Sequence, residues 1–365
     1  MAERIVVAMS GGVDSSVAAY LLKEQGFDVW GVTLKLYPEF SRCCRLEDIE
    51  DARGVAHFLD IPHYVFDFTQ EFKEEVVSYF AHEYMSGRTP NPCVICNQKI
   101  KFGLLWHKAT AIGACSMATG HYARLIEENG DVYVAKARDK EKSQEYFLAF
   151  LPEEVLRKVV FPLGNYTKES IKRISQEVKL PLRTKKESQE VCFVPTGDYV
   201  SFIMRHFGIS NQQGTVVNRK GEPLGVHKGF FYYTIGQRKR IGIRASSPYY
   251  VIGIDPMHNV VQIGPKEEAY DKAMTVALVR WRKGEGDFSL FTKIRYRHDP
   301  APATVKVRGM EAWVIFKEPQ FAPAPGQIAV FYEEDRVVGS GKIRAAFNDK
   351  FSFPPGSSFL IDSMK

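Results

Sequence analysis

The six cysteines all lie within the first 192 residues, and their spacing separates them into kinds. Cys93 and Cys96 form a CxxC in the proline-fixed segment Thr89-Pro90-Asn91-Pro92-Cys93-Val94-Ile95-Cys96-Asn97, which reads as a rigid loop. A CxxC can be a redox pair, half of a zinc site, or two incidental small residues. Zinc would need a second CxxC or a His pair, and the other close pair, Cys43-Cys44, lacks that ligand spacing. Cys192 stands 96 positions after Cys96 in the apolar stretch Val191-Cys192-Phe193-Val194, where a single cysteine on its own reads as core. Cys115 sits in a short apolar run and offers no spacing to interpret.

A second cluster is Ser10-Gly11-Gly12-Val13-Asp14-Ser15-Ser16. Its two glycines let the backbone approach an anion, a helix beginning near Asp14 offers unpaired N–H groups, and three hydroxyls surround the position. It lacks the Lys by which a GxxxxGK[ST] loop reaches the outer phosphates. The loop therefore suits the pyrophosphate end of ATP, with reaction at the α-phosphorus.

These residues need a scaffold, and the pattern supplies one. Ile5 to Met9 reads as a buried strand ahead of the loop, and Val17, Tyr20 and Leu21 share a helical face that Gly26 can end. Strand-like runs at Val29 to Leu34, His63 to Phe66 and Cys115 to Thr119 alternate with helical stretches at Leu46 to Phe58 and Phe72 to Tyr84. That order predicts an α/β fold with a parallel sheet covered by helices, and ligands bound at the carboxyl ends of its strands.

After about His206 the pattern becomes β-rich, with a hairpin turn at Asn218-Arg219-Lys220-Gly221 and a Gly- and Tyr-rich stretch to Tyr250. From about Met274, segments such as Thr292 to Arg297 and Gln327 to Tyr332, the latter turned by Glu333 to Arg336, predict a C-terminal β-barrel. Three domains are expected: 1–205 catalytic, 206–273 small and β-rich, 274–365 a barrel.

At 365 residues and 45% hydrophobic content the chain can bury a sizeable core. No apolar run nears the roughly 20 residues that span a bilayer, and Met1-Ala2-Glu3-Arg4 leads directly into a strand, so a cytoplasmic protein with no membrane partner is expected. Cysteines in that compartment are unlike structural disulfides. The net charge of +6 is uneven: residues 193–365 hold 24 Lys and Arg against 16 Asp and Glu, and the first 192 residues net −2. A basic surplus of this kind suits either a polyanionic partner or a solvated surface.

Taken together, Ala8 to Ser16, Thr89 to Phe102, Ala118-Thr119-Gly120-His121-Tyr122-Ala123, Ser188-Gln189-Glu190-Val191-Cys192-Phe193, Tyr233-Thr234-Ile235-Gly236-Gln237-Arg238 and Arg295-Tyr296-Arg297 give a nearly end-to-end match. The sequence resembles the tRNA-specific 2-thiouridylase family, bacterial enzymes that replace O2 of the anticodon wobble uridine with sulfur. The resemblance implies an ATP pyrophosphatase domain, like those of the adenine nucleotide alpha hydrolases, carrying the transferase activity. By it, Ala8, Met9, Ser10, Gly11, Gly12, Val13, Asp14 and Ser15 hold ATP with Mg2+, and Leu34 and Gly120 lie at the adenine side.

The same resemblance places Asn91, Pro92 and Cys93 around the target base. Cys96 and Cys192 are the catalytic thiols with Asp14 at the nucleotide, Cys192 carrying sulfur as a persulfide received from a cysteine desulfurase or a relay protein. His121, Lys142, Ser143, Gln144, Arg295, Tyr296 and Gln327 would touch the anticodon arm of tRNA. Sulfur then passes either directly from the persulfide, leaving a Cys96 to Cys192 disulfide, or as sulfide released first. Two positions depart from the family: Asp is usual where Cys93 stands, and Asp where Ser143 stands. The first opens an alternative in which Cys93, Cys96 and Cys192 hold a [4Fe-4S] cluster. The rival within the same ATP-using group, an amide ligase, needs no paired thiols. A non-catalytic iron–sulfur or RNA-binding protein would turn over no ATP.

Overall fold

A computed structural model describes residues 2–37, 46–183, 191–194, 198–243 and 247–348. Cys43, Cys44 and the motif residues Ser188, Gln189 and Glu190 lie outside that range. The described residues divide into two compact units: those within 2–82, 91–209 and 333–338 form one, and those within 83–90, 210–332 and 339–348 the other.

In the first unit, β1 (Arg4–Ala8) precedes α1 (Val13–Glu24), followed by β2 (Asp28–Lys35), α2 (Leu46–Phe58) and β3 (His63–Asp67). Next come α3 (Thr69–Phe72), a π-helical turn (Lys73–Val77) and α4 (Ser78–Met85) in direct succession. α5 (Pro92–Cys96) runs through a second π segment (Asn97–Leu104) into α6 (Leu105–Ala111), ahead of β4 (Ser116–Thr119) and the hairpin of β5 (Ala123–Glu128) and β6 (Asp131–Lys136). α7 (Glu153–Leu156), β7 (Val159–Val160), α8 (Lys168–Glu177) and α9 (Tyr199–Phe207) complete it.

The sheet runs β3-β2-β1-β4-β7, all parallel, with Ala8 in register with Val32 on one side and Thr119 on the other. Strand order reverses at β1, because its sequence neighbour β2 lies to one side and β4 to the other. A crevice opens at such a switch point, and it is here that the Ser10 to Ser16 loop emerges. Ile5, Val6 and Val7 are fully buried beneath it with Val17, Ala18, Ala19 and Leu22 of α1. Ser15 to Ala19 are buried consecutively, so the first half of the helix is enclosed on all sides, with α8 packing on it as well as the sheet strands.

The second unit holds a four-stranded sheet, β10-β11-β8-β9, of β8 (Gly214–Val217), β9 (Pro223–His227), β10 (Tyr250–Asp255) and β11 (Val260–Gly264). The Asn218 to Gly221 turn joins its first two strands: Asn218 N donates to Glu222 O, Gly221 N to Asn218 O, and Gly221 has φ +83°. The described residues between His227 and Tyr250 form no strand. They include a 3-10 turn at Phe230–Tyr232 whose Phe230 and Phe231 are buried.

The barrel strands are β12 (Tyr270–Trp281), β13 (Gly286–Lys293), β14 (Ala301–Arg308), β15 (Glu311–Phe321), β16 (Ile328–Glu333) and β17 (Arg336–Phe347). β12 pairs with both β15 and β17, which closes the sheet on itself. The segment Thr292 to Arg297 departs from expectation: the strand ends at Lys293, and Arg295 and Tyr296 lie in the turn that follows. His298 N donates to Arg295 O there, and Pro300, lacking an N–H, cannot extend a ladder.

Candidate functional site

The nucleotide loop is held by its own side chains. Met9 N donates to Val32 O, carrying the β1 to β2 pairing one residue past the strand. Gly11 has φ +69°, and a Cβ added there would lie 2.3 Å from the carbonyl oxygen of Asp48 in α2. Both conformation and space thus demand glycine. Ser15 is buried, accepting from Ser10 N at 3.1 Å and donating to Gly12 O at 3.2 Å, while Ser16 Oγ donates to Gly12 O at 2.9 Å. Ser10 Oγ lies 3.3 Å from Ser15 Oγ, so all three hydroxyls shape the loop from within. Gly12 is the N-cap of α1 and supplies no side-chain acceptor, so the first-turn N–H groups face the mouth of the loop with no side-chain cap.

Leu34 is buried near the carboxyl end of β2, and Gly120 follows the last residue of β4, so both lie on the edge from which the loop springs. A Cβ at Gly120 would meet Ser15 N at 2.7 Å, so this glycine lets the end of β4 press against the start of α1. Next in sequence, His121 bonds through Nδ1 to Thr119 Oγ1 at 2.7 Å, and its ring lies 5.9 Å from Phe102 on the π segment continuing from Cys96. Burial drives the His121 pKa well below 6.5, and Lys101 pushes it further the same way, so the ring is neutral at physiological pH.

Asp14, the second residue of α1, is the centre of a polar cluster that reading the sequence misses. Tyr122 Oη donates to its Oδ1 at 2.8 Å, and Lys168 Nζ bonds both carboxylate oxygens at 2.8 and 2.7 Å. Gln144 grips Tyr122 from both sides: its N donates to Tyr122 O at 2.7 Å and its Oε1 accepts from Tyr122 N at 3.0 Å. Ser143 is buried, its Oγ donating to Glu145 and accepting from Ala137 N. Lys142 N donates to Asp139 Oδ1 at 3.2 Å.

The CxxC lies on a helix. Asn91 is its N-cap, accepting from Val94 N at 3.4 Å, and Pro92 takes the first helical position, where the missing N–H costs nothing. Cys93 and Cys96, three residues apart, lie near the same side; Cys93 is exposed and Cys96 buried. A π segment starts directly after Cys96, a local irregularity frequent at functional sites, and Asn97 is anchored there by Nδ2 to Phe147 O at 3.0 Å.

Cys192 is half-buried. Its neighbour Phe193 is buried with ring centroids 5.6 Å from Phe72, 5.2 Å from Phe80 and 5.5 Å from Phe202. α5 packs on the π turn between Phe72 and Phe80. The two thiol-bearing segments are therefore docked on one continuous helical run, α3 to α4.

Among the described residues no three His, Cys, Asp or Glu side chains converge to hold a metal ion. Cys93, Cys96 and Cys192 are therefore not gathered into such a set in this structure. Mg2+ asks less, one or two carboxylates plus substrate phosphates, and Asp14 fits that role.

In the second unit, Gln327 Nε2 donates to the carbonyls of Thr89 and Pro90 at 3.2 and 2.9 Å, and Thr89 N donates to Pro325 O at 2.8 Å. Arg295 Nη1 donates to Phe321 O at 2.9 Å, and Lys293 Nζ lies 5.5 Å from the Tyr296 ring.

Residues 3–196 match a family model described as the tRNA methyl transferase HUP domain, 201–265 its PRC-barrel domain, and 271–343 an aminomethyltransferase β-barrel domain. A tRNA-specific 2-thiouridylase of Geobacter metallireducens is 46% identical over 362 residues, covering 95% of this chain and 98% of the relative. Those of Geotalea uraniireducens and Clostridium acetobutylicum are 44% and 43% identical, over 95% and 94% of this chain and 96% and 100% of theirs. A match of this depth along the whole length of the relatives, over a nucleotide loop and two segments bearing thiols, settles membership: the chain belongs to the tRNA-specific 2-thiouridylase family.

Proposed function

We propose that this enzyme performs the ATP-dependent 2-thiolation of the wobble uridine in tRNA, using Cys192 as sulfur carrier and Cys96 as its partner thiol. A uridine carbonyl oxygen is a poor leaving group and must first be activated. O2 attacks the α-phosphorus of ATP, an O–P bond forms, and the bond to the β-phosphate bridging oxygen breaks, releasing pyrophosphate toward the Ser10 to Ser16 loop. Asp14 would hold Mg2+ against the phosphates, where the ion supplies charge neutralisation.

The terminal sulfur of a Cys192 persulfide then attacks C2, and AMP departs with the original O2. Attack of the Cys96 thiolate on the inner sulfur of Cys192 breaks the S–S bond, leaves the transferred sulfur on the base, and forms a Cys96 to Cys192 disulfide. Two electrons from an external dithiol restore both thiols. Asn91, Pro92 and Cys93 frame the flipped base at the start of α5, and neutral His121, Lys142, Gln144, Arg295 and Tyr296 meet the anticodon arm. Affinity for its phosphates comes from Lys and Arg of the basic 193–365 region, the barrel of residues 274–365 included. A cysteine desulfurase or relay protein loads Cys192, in the cytoplasm.

One observation carries this reading: Gly120 abuts the nucleotide loop at Ser15 while His121, the next residue, abuts Phe102 on the helix continuing from Cys96. The end of β4 thus touches both the nucleotide loop and the helical run that continues from Cys96, which supports a shared site for nucleotide and thiol. The test is thiolation of an anticodon stem-loop with ATP and a persulfide donor. Wild type yields 2-thiouridine and one AMP per sulfur, whereas Cys96→Ser and Cys192→Ser yield none. Full activity in either variant would overturn the assignment.

A further inference from the structure

The ATP loop poses an electrostatic problem that its own residues do not solve. Residues 8–16 contain no Lys or Arg, yet the group they are read to hold is a triphosphate. Lys168 lies 154 residues away in sequence with its Nζ at 2.7 and 2.8 Å from the Asp14 oxygens, and its side chain is only 13% exposed. Burying an ammonium is costly, and placing one beside the start of α1 adds to that cost, because the N-terminal end of a helix is already positive.

Lys168 is moreover the first residue of α8, so a second positive helix end lies within one lysine side chain of the first. The backbone there is fixed: Lys168 N donates to Asp139 Oδ2 at 3.0 Å, and a capping box joins Thr167 and Ser170. Two helix ends and an ammonium thus surround a single carboxylate. That excess of positive character suits a polyanion.

We propose that Lys168 is the phosphate-binding cation of this ATP site, paired with Asp14 at rest and contacting the outer phosphates once nucleotide and its divalent cation arrive. The proposal rests on reading Ser10 to Ser16 as the ATP loop. It assigns to a distant helix the task that a P-loop lysine performs within its own loop. AMP, which lacks the outer phosphates, gains nothing from this contact.

The experiment is calorimetric binding of ATP, pyrophosphate and AMP with Mg2+, in the absence of tRNA, to wild type, Lys168→Met, Asp14→Asn and the Asp14→Asn/Lys168→Met double variant. Loss of a charge-assisted contact should weaken ATP and pyrophosphate by roughly 10- to 100-fold in Lys168→Met and leave AMP unchanged. The double variant leaves neither charge alone in the fold, and it too should bind pyrophosphate more weakly than Asp14→Asn. Equal losses for AMP and ATP, or a double variant binding pyrophosphate as tightly as Asp14→Asn, would overturn the role of Lys168. A wild-type protein that binds neither ATP nor pyrophosphate would instead sink the ATP reading and this proposal with it.

Discussion

The nucleotide loop and the thiol pair solve the problem of placing reactive groups in opposite ways. The loop is local: Met9 to Ser16 are consecutive, and Ser10, Gly12, Ser15 and Ser16 hold one another through hydrogen bonds spanning at most five residues. The thiols are borne by segments 96 positions apart, each packed on the α3 to α4 run: α5 on its π turn and Phe193 on Phe72 and Phe80. Local construction protects geometry against changes elsewhere, while construction by packing makes the geometry depend on a few large side chains. Substitutions on each side should therefore fail differently.

Phe193→Ala strikes the packed side hardest. It removes a fully buried ring from contact with Phe72, Phe80 and Phe202, which costs about 3–5 kcal/mol of stability by the usual cavity penalty. Chemical denaturation should report that loss, and thiolation should fall steeply while the affinity of the surviving folded protein for ATP is retained. A variant that thiolates normally would show that the Phe193 cluster does not position Cys192.

Gly11→Ala is the reciprocal break. An alanine at φ +69° costs roughly 1 kcal/mol in backbone strain, and its Cβ at 2.3 Å from Asp48 O forces the loop or α2 to move. ATP affinity should drop by about two orders of magnitude, or roughly 2.7 kcal/mol, whereas the rate at which Cys192 is alkylated by iodoacetamide should stay at the wild-type value. Altered alkylation would mean that the two sites are less independent than their construction implies.

Gln327→Ala tests a smaller connection of the packed kind. Its amide holds the carbonyls of Thr89 and Pro90, the residues leading into Asn91 and the CxxC helix. Losing two hydrogen bonds to backbone carbonyls should cost about 1–2 kcal/mol and raise KM for tRNA more than it lowers kcat. An unchanged KM would leave Gln327 a purely structural anchor.

The same contrast explains what the sequence discloses. Strand, glycine turn and helix of the nucleotide site are written in consecutive residues, so Ile5 to Leu22 is legible from its pattern, as is α2 over Leu46–Phe58. Two prolines make Thr89 to Asn97 read as a rigid loop. The N-cap of Asn91 and the tolerance of Pro92 at the first helical position make it a helix instead, a signal that was present in the residues themselves. The end of β13 at Lys293 depends on Pro300 and on the Arg295 to His298 turn, beyond the window of an alternating pattern. Lys168 carries no mark at all: a Lys in a capping-box sequence is ordinary, and only folding brings it to Asp14. Ser143 shows the converse, a motif position whose hydroxyl the fold has already spent on Glu145.

The smallest effect lies within the second unit, where half-buried Asp271 and buried His227 oppose each other in pH. Burial pushes the Asp271 carboxyl up to about 6, against the pull of Arg219. The native state thus holds a proton that the unfolded chain releases from pH 4 upward, so stability falls as pH rises through that window and the full cost applies above pH 6. His227 acts the other way. Its Nδ1 accepts from Gly229 N at 3.0 Å and its Nε2 donates to Asn259 O at 3.2 Å, fixing a neutral ring whose pKa burial holds below 6.5. The unfolded chain takes up that proton first as pH drops below 6.5, and stability is lost there. Asp271→Asn should therefore stabilise the protein by roughly 1–2 kcal/mol at pH 8 and by nothing at pH 4. Thermal melts of the variant and wild type across that range decide it: a gain independent of pH would mean that the Asp271 carboxyl is not the group being titrated.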